Sequence, residues 1–327
     1  MRPFDYHRAQ TVEETLVRLT TTNDGEIRPL AGGTDLLTLM KGNLAAPIEL
    51  IDIKRVANLP KGITATASGL QIGTLTTLSE IEQHPLLAER FPLLAEAAGL
   101  AATPQLRNMA TIGGNLLQRP RCWYFRNELF HCWLKGGDDC PADEGQNEFH
   151  ALFGGGPCYA VHPSDLASAL LAVDAEVQVR SATGERTLPL ADFFALPTDD
   201  RRRESVLAED ELILSIQIPF LPATARSTYL KAMDRKVWAF ALVGVAAVVQ
   251  VEQGQISEAR LVLGGVAPIP WQVQDAEAML IGQLPSEALF TRAAEQALTG
   301  AERLQHNTYK VPLLKSLIRR ALTLLTS

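Results

Sequence analysis

Two glycine pairs constrain this chain more than any other feature. Ala31-Gly32-Gly33-Thr34-Asp35 lies where a short strand-like run, Ile27–Leu30, gives way to a helix-like one at Asp35–Lys41. Further along, Thr111-Ile112-Gly113-Gly114-Asn115 repeats the arrangement. Glycine lets backbone N–H groups approach an anion closely, and a helix start points its own free N–H groups the same way. Thr34 adds a hydroxyl donor. Two such turns suit a long ligand that carries a pyrophosphate; the alternative is a pair of ordinary turns. Neither turn is a GxGxxG fingerprint, and none follows a suitable strand elsewhere in the chain.

The surrounding pattern mixes helices and strands. Thr11 with Glu14, and Thr77 with Glu80, have the spacing of capping boxes. Strands are expected at Glu49–Ile53, Gly69–Leu75, Ala175–Arg180 and Leu212–Ile218, the last closed by Pro219. Helices are expected at Pro92–Leu100 and Ser164–Val173. A boundary is placed near Pro222. Beyond it, Phe240–Gln250 and Glu258–Leu263 read as strands, and Val311–Leu325 has helical spacing of its leucines.

The 327 residues are 46% hydrophobic and 20% charged, as in a folded globular chain. The net charge of −7 offers no basic face, so no nucleic-acid partner is expected. The basic run Arg201-Arg202-Arg203 is flanked by acids and reads as a solvated loop. No apolar run reaches the roughly 18 to 20 residues of a membrane span. The start lacks the apolar core of an export signal, so the expected location is cytoplasmic, or periplasmic if a partner carries the signal.

Four cysteines, spaced Cys122-x9-Cys132-x7-Cys140-x17-Cys158, lie in a stretch of about 119–160 with little periodicity. A [4Fe-4S] cluster takes four thiolates, one for each iron. Mononuclear zinc sites usually show paired C-x2-4-C knuckles, and none is present. The spacing therefore favours a cluster; zinc, two disulfides and four buried thiols are the alternatives. Trp123, Tyr124, Phe125, Phe130 and Trp133 either shield such a cluster or form a small core for the segment. His131 and His150, in the same stretch, are given solvent-facing or structural roles.

Leu30 through Leu36, followed by Ala110-Thr111-Ile112-Gly113-Gly114-Asn115, resembles the paired flavin motifs of the molybdenum hydroxylase FAD subunits. Phe4-Asp5-Tyr6, His162 through Ala167, Asp192-Phe193-Phe194 with Leu212–Pro219, Gly264 through Pro268 and Arg319 through Leu322 extend the resemblance over nearly the whole chain. The segment from Leu116 to Phe125 looks closest to the flavin subunit of bacterial aldehyde oxidoreductases. A four-cysteine insertion here is similar to those of that subunit and of the 4-hydroxybenzoyl-CoA reductase flavin subunit.

The resemblance implies an α+β fold. A two-subdomain FAD-binding domain would occupy residues 1–220, with subdomains of about 1–55 and 56–220, and a smaller α+β domain 221–327. Leu30, Ala31, Gly32, Gly33, Thr34, Asp35 and Leu36 would wrap the FAD pyrophosphate. Asn108, Thr111, Gly113, Gly114 and Asn115 would face the phosphates and flavin ring. Asp165 would bond the ribityl or adenosine side, and Lys231, just before the second domain's first strand, would reach across the domain interface. For Lys231 and Arg235 the alternative is an ordinary surface position. Cys122, Cys132, Cys140 and Cys158 would hold a [4Fe-4S] cluster. The implied partners are a large molybdenum-cofactor subunit, a small [2Fe-2S] subunit and an external electron acceptor. The rival classes are a self-sufficient flavin oxidoreductase and a zinc-binding, non-catalytic assembly subunit. No acid–base constellation supports the first.

Overall fold

Three short strands, β1 (Asp5–Arg8), β2 (Ile27–Leu30) and β3 (Glu49–Asp52), pair in parallel in the order β1-β3-β2. The computed structural model to which they belong describes residues 1–20 and 26–327. Parallel pairing needs crossovers, and the helices Val12–Leu19 and Leu36–Lys41 supply them. Pro29, which has no N–H to give, is tolerated because β2 is an edge strand. Thr11 caps the first helix by accepting the Glu14 N–H at 3.1 Å. Only half of the expected capping box forms there, because Glu14 turns to the Gln10 N–H and His7 instead. The Thr77–Glu80 box forms in both directions.

A five-stranded antiparallel sheet follows. It contains β4 (Ile63–Ala65), β5 (Gly69–Gly73), β6 (Glu176–Ser181), β7 (Gly184–Pro189) and β8 (Leu212–Pro219), ordered β4-β5-β8-β6-β7. The helices Leu78–Gln83, Pro92–Gly99 and Asp165–Ala172 bury their apolar faces in its core. Ser164 caps the last of these through the Ala167 N–H at 3.0 Å.

The third sheet is antiparallel, with β9 (Ala225–Ala232), β10 (Val243–Glu252), β11 (Gln255–Gly264) and β12 (Trp271–Gln272) in the order β12-β11-β10-β9. β10 is apolar without alternation because both its faces are covered. Ala246 and Val248 join the core of the preceding domain, whereas Val243, Val245, Ala247 and Val249 pack on the C-terminal helices. Those helices are Gln274–Leu280, Glu287–Gln296 and Lys310–Thr326. Two sequence readings change here. β9 is an additional strand, and Lys231 lies within it rather than before the first strand of this domain. Among the described residues, no helix is long and apolar enough to cross a membrane.

Candidate functional site: a glycine-lined cleft beside four thiols

A cleft of about 710 Å³ opens between the first glycine turn, the second turn, the cysteine segment and residues 202–213. Its size is that of a cofactor site. Leu30, Ala31, Gly32, Gly33, Thr34, Asp35 and Leu36 all line it. The local cause is a sharp exit from β2, with Gly33 at φ +71°. The Leu37 N–H returns to the Gly33 carbonyl at 3.0 Å. The N–H groups of Gly32, Gly33, Thr34, Asp35 and Leu36 donate to no protein acceptor among the described residues. Consecutive unpaired N–H groups make an anion nest. A side chain on Gly32 would run into the Met109 carbonyl, so this glycine is what lets the first turn touch the approach to the second.

Thr111, Gly113, Gly114 and Asn115 line the cleft as well. Their backbone differs from that of the first turn, contrary to the expectation of equivalent chemistry. Ile112 N–H donates to Thr76 O at 2.9 Å, Gly113 N–H to Thr74 O at 3.1 Å and Asn115 N–H to Thr111 O at 2.8 Å. Gly114 N–H donates to the Thr111 hydroxyl at 3.4 Å. The second turn thus presents surface and side chains to the cleft. Asn115 is oriented by the Ser164 hydroxyl, which donates to its Oδ1 at 2.5 Å.

Asp35 does not aim its carboxylate at a ligand. It accepts the Arg119 N–H at 2.9 Å and binds the Arg121 and Arg126 guanidinia at 2.7 Å each. The first turn is thereby fastened to the start of the cysteine segment. Arg121 is drawn down to about 10 by burial, with Asp35 opposing that fall.

Three other predicted residues lie away from the cleft lining. Asn108 is exposed and ends the helix Pro104–Arg107. Asp165 and Lys231 bind one another at 2.8 Å, both buried, and Tyr229 donates its hydroxyl to Asp165 at 2.5 Å. Lys231 also donates to the Leu100 carbonyl at 3.0 Å. These three side chains pin the C-terminal sheet to the helix that Ser164 caps.

The basic run is not a solvated loop. Arg202 donates to the Trp133 and Gly137 carbonyls at 2.6 and 2.8 Å and lies over the Trp133 ring, so it anchors the cysteine segment. Arg202, Arg203 and Glu204 line the cleft. Glu204 is buried, which raises its pKa, while Arg119 at 3.5 Å opposes the rise. Glu204 Oε1 and Arg119 Nε are buried without hydrogen-bond partners among the described residues.

The cysteine segment is mostly irregular, with one helical turn at Trp123–Arg126. Of the five aromatics, Phe125 and Trp133 join a small core with Leu134, Leu39, Cys132 and Cys158. All four cysteines are free. The sulfurs are close enough to feel one another, and the Ala160 N–H donates to Cys158 Sγ at 3.5 Å. Burial pushes the Cys122 thiol up to about 12, and Cys132 and Cys140 add to the rise. The Cys158 thiol donates to Cys140, lowering Cys140 to about 6 and raising Cys158. Among the described residues no group of three or more His, Cys, Asp or Glu side chains is arranged to hold a metal ion.

His150 is buried rather than solvent-facing, and its Nε2 lies 3.2 Å from Cys122 Sγ. Burial first, and Lys310 second, pull it down to about 4. A second cavity of about 340 Å³ is lined by Cys122, His150, His162, Arg121 and Phe240, among others. Arg121 and His162 line both cavities. The arginines that fasten the segment carried one sequence signal: Arg119, Arg121 and Arg126 crowd the approach to and exit from Cys122. His150 carried none.

Residues 2–221 match the family described as the FAD binding domain in molybdopterin dehydrogenase. The chain belongs to the family of molybdopterin dehydrogenase FAD-binding subunits. Within that family, residues 228–325 match the CO dehydrogenase flavoprotein C-terminal domain. The chain is 36% identical to the aldehyde oxidoreductase FAD-binding subunit PaoB of Escherichia coli K12, over 96% of each chain. It is 29% identical to the carbon monoxide dehydrogenase medium chain of Hydrogenophaga pseudoflava, over 98% of this chain and 96% of that one. A solved carbon monoxide dehydrogenase from the same organism, lacking the Mo-pyranopterin moiety of its cofactor, superposes with a TM-score of 0.79 at 28% identity. The match covers 99% of this chain and 97% of that one.

Proposed function

We propose that this chain is the FAD-binding, electron-transferring subunit of a heteromeric molybdenum hydroxylase of the aldehyde oxidoreductase type. The observation that carries the reading is the run of unpaired N–H groups from Gly32 to Leu36 along the wall of a cofactor-sized cleft. A pyrophosphate fits that donor set, and the second turn's Thr111, Gly113, Gly114 and Asn115 bound the same space. Glu204, which lines the cleft, leaves its Oε1 as a further acceptor for a bound ligand. FAD, when bound, supplies the redox chemistry; the chain binds it, orients it and excludes water.

The four cysteines are proposed to hold a [4Fe-4S] cluster. The donor set supports this: four free thiols lie in one segment, with the Ala160 N–H 3.5 Å from Cys158 Sγ and His150 Nε2 3.2 Å from Cys122 Sγ. A cluster gives each thiolate its own iron, so the sulfurs need not converge on one point as they do around a single ion. Cys132 lines the cleft and Cys122 the second cavity, which sets the thiols beside the proposed flavin site. The partners proposed are a large molybdenum-cofactor subunit, a small [2Fe-2S] subunit and an external electron acceptor. Support comes from similarity along nearly the full length of the aldehyde oxidoreductase subunit.

The test is anaerobic. The chain is purified with any subunits that accompany it and mixed with an aldehyde while flavin absorbance is followed. Bleaching that depends on the copurifying subunits supports the reading. Bleaching by the isolated chain, or no flavin in a folded sample, contradicts it.

A further inference from the structure

The sulfur of Cys122 differs from the other three in facing an imidazole, with His150 Nε2 at 3.2 Å. His150 is 2% exposed, and its Nδ1 has no hydrogen-bond partner among the described residues. A neutral imidazole has one N–H. Placed on Nδ1, that proton would be a buried donor with nothing to receive it. Placed on Nε2, it is given to sulfur, and only an acceptor lone pair goes unmet, which costs less.

The ring is also held in place. Its residue's carbonyl accepts Lys310 Nζ at 2.9 Å, and the neighbouring Ala151 carbonyl accepts Asn307 Nδ2 at 2.9 Å. The His306 N–H donates to Asn147 Oδ1 at 2.8 Å. Trp123 packs edge-on to the imidazole, with ring centres 5.5 Å apart. Residues 306–310 of the C-terminal domain therefore grip the turn that carries His150.

We propose that His150 donates its Nε2–H to the Cys122 thiolate and sets the reduction potential of the cluster, with the C-terminal domain fixing the ring. The inference rests on the cluster reading above. Reduction adds one electron and no proton, and the added charge spreads onto the thiolates. A donor to sulfur stabilises the more electron-rich state and raises the potential; such hydrogen bonds are a recognised lever on iron–sulfur centres. His150 is a positioning residue here, acting through Cys122 and not as a ligand.

The test is an EPR-monitored redox titration of the full chain, with iron and sulfide assayed on each sample. At the wild-type midpoint, the reduced-to-oxidised ratio of His150→Phe is expected to be at least tenfold lower, a shift of at least about 59 mV to lower potential for one electron. His150→Gln, which keeps an N–H, is expected to recover part of the shift. An unchanged midpoint in His150→Phe with full iron content overturns the proposal and leaves the cluster standing. If His150→Phe does not keep its iron, the wild-type chain decides. Pulsed EPR of the reduced protein carrying ¹⁵N-histidine is expected to show a coupled histidine nitrogen that persists in His131→Ala. Absence of that coupling overturns the proposal. Wild-type protein without iron and sulfide overturns the cluster reading and this inference together.

Discussion

Asp35 and Arg126 meet at 2.7 Å, joining the first glycine turn to the cysteine segment. The same carboxylate holds Arg121 and the Arg119 N–H, so one acid fastens three points of that segment. Removing it leaves two half-buried guanidinia without their carboxylate, held by Gln118 and the Arg119 and Pro120 carbonyls. Loss of one member of a buried pair costs about 3 kcal/mol. Asp35→Ala is therefore expected to lower unfolding stability by about that amount, and to lose flavin and iron together. Denaturant unfolding and cofactor assays check both; unchanged stability would remove Asp35 from this role.

Gly32 makes a second prediction. A methyl group there meets the Met109 carbonyl, a backbone atom that cannot swing away. Overpacking of this kind typically costs about 1–3 kcal/mol. Gly32→Ala should lose stability in that range and bind FAD at least tenfold more weakly. Gly184→Ala, where nothing lies within 4 Å, should change neither. Flavin titration of the two variants, side by side, separates a close-approach effect from a general glycine effect.

Much of the architecture was legible because local signals agreed with tertiary demands. Thr77 with Glu80 was readable as a cap, and the apolar run from Ser164 as a helix. β9, read from Ala225 to Ala232, was not legible: its run ARSTYLKA lacks alternation because Ser227, Thr228 and Tyr229 are all buried, Thr228 reaching Glu96 and Tyr229 reaching Asp165 of the preceding domain. The cleft's glycine turns stood out, but the sequence could not distinguish free from occupied N–H groups. That difference is made by Thr74 and Thr76, whose carbonyls take the second turn's donors. Asp165 and Lys231 looked like ligand contacts, yet each finds the other, a pairing across 66 positions that no local pattern encodes.

Lys310 gives a pH prediction. It is fully buried, donates among the described residues only to the His150 and Gly265 carbonyls, and burial draws it down from an ordinary value near 10.5 to about 7. The unfolded chain keeps that proton up to the ordinary value, whereas the folded chain releases it near 7. Between those limits unfolding takes up a proton, so stability rises with pH, and the burial penalty is full below the window. Lys310→Met should lack this slope. Urea unfolding of both proteins at pH 6 and pH 9 is expected to show wild type gaining on the variant at the higher pH. Parallel behaviour would show that Lys310 does not titrate in this range.

The most direct test of the central claim is the cofactor content of the anaerobically purified chain, with flavin, iron, sulfide and zinc assayed on one sample. One FAD together with equal iron and sulfide, the flavin lost in Gly32→Ala and the iron lost in Cys132→Ser, is the predicted result. A folded chain without flavin would contradict the account, and zinc without sulfide would overturn its cluster.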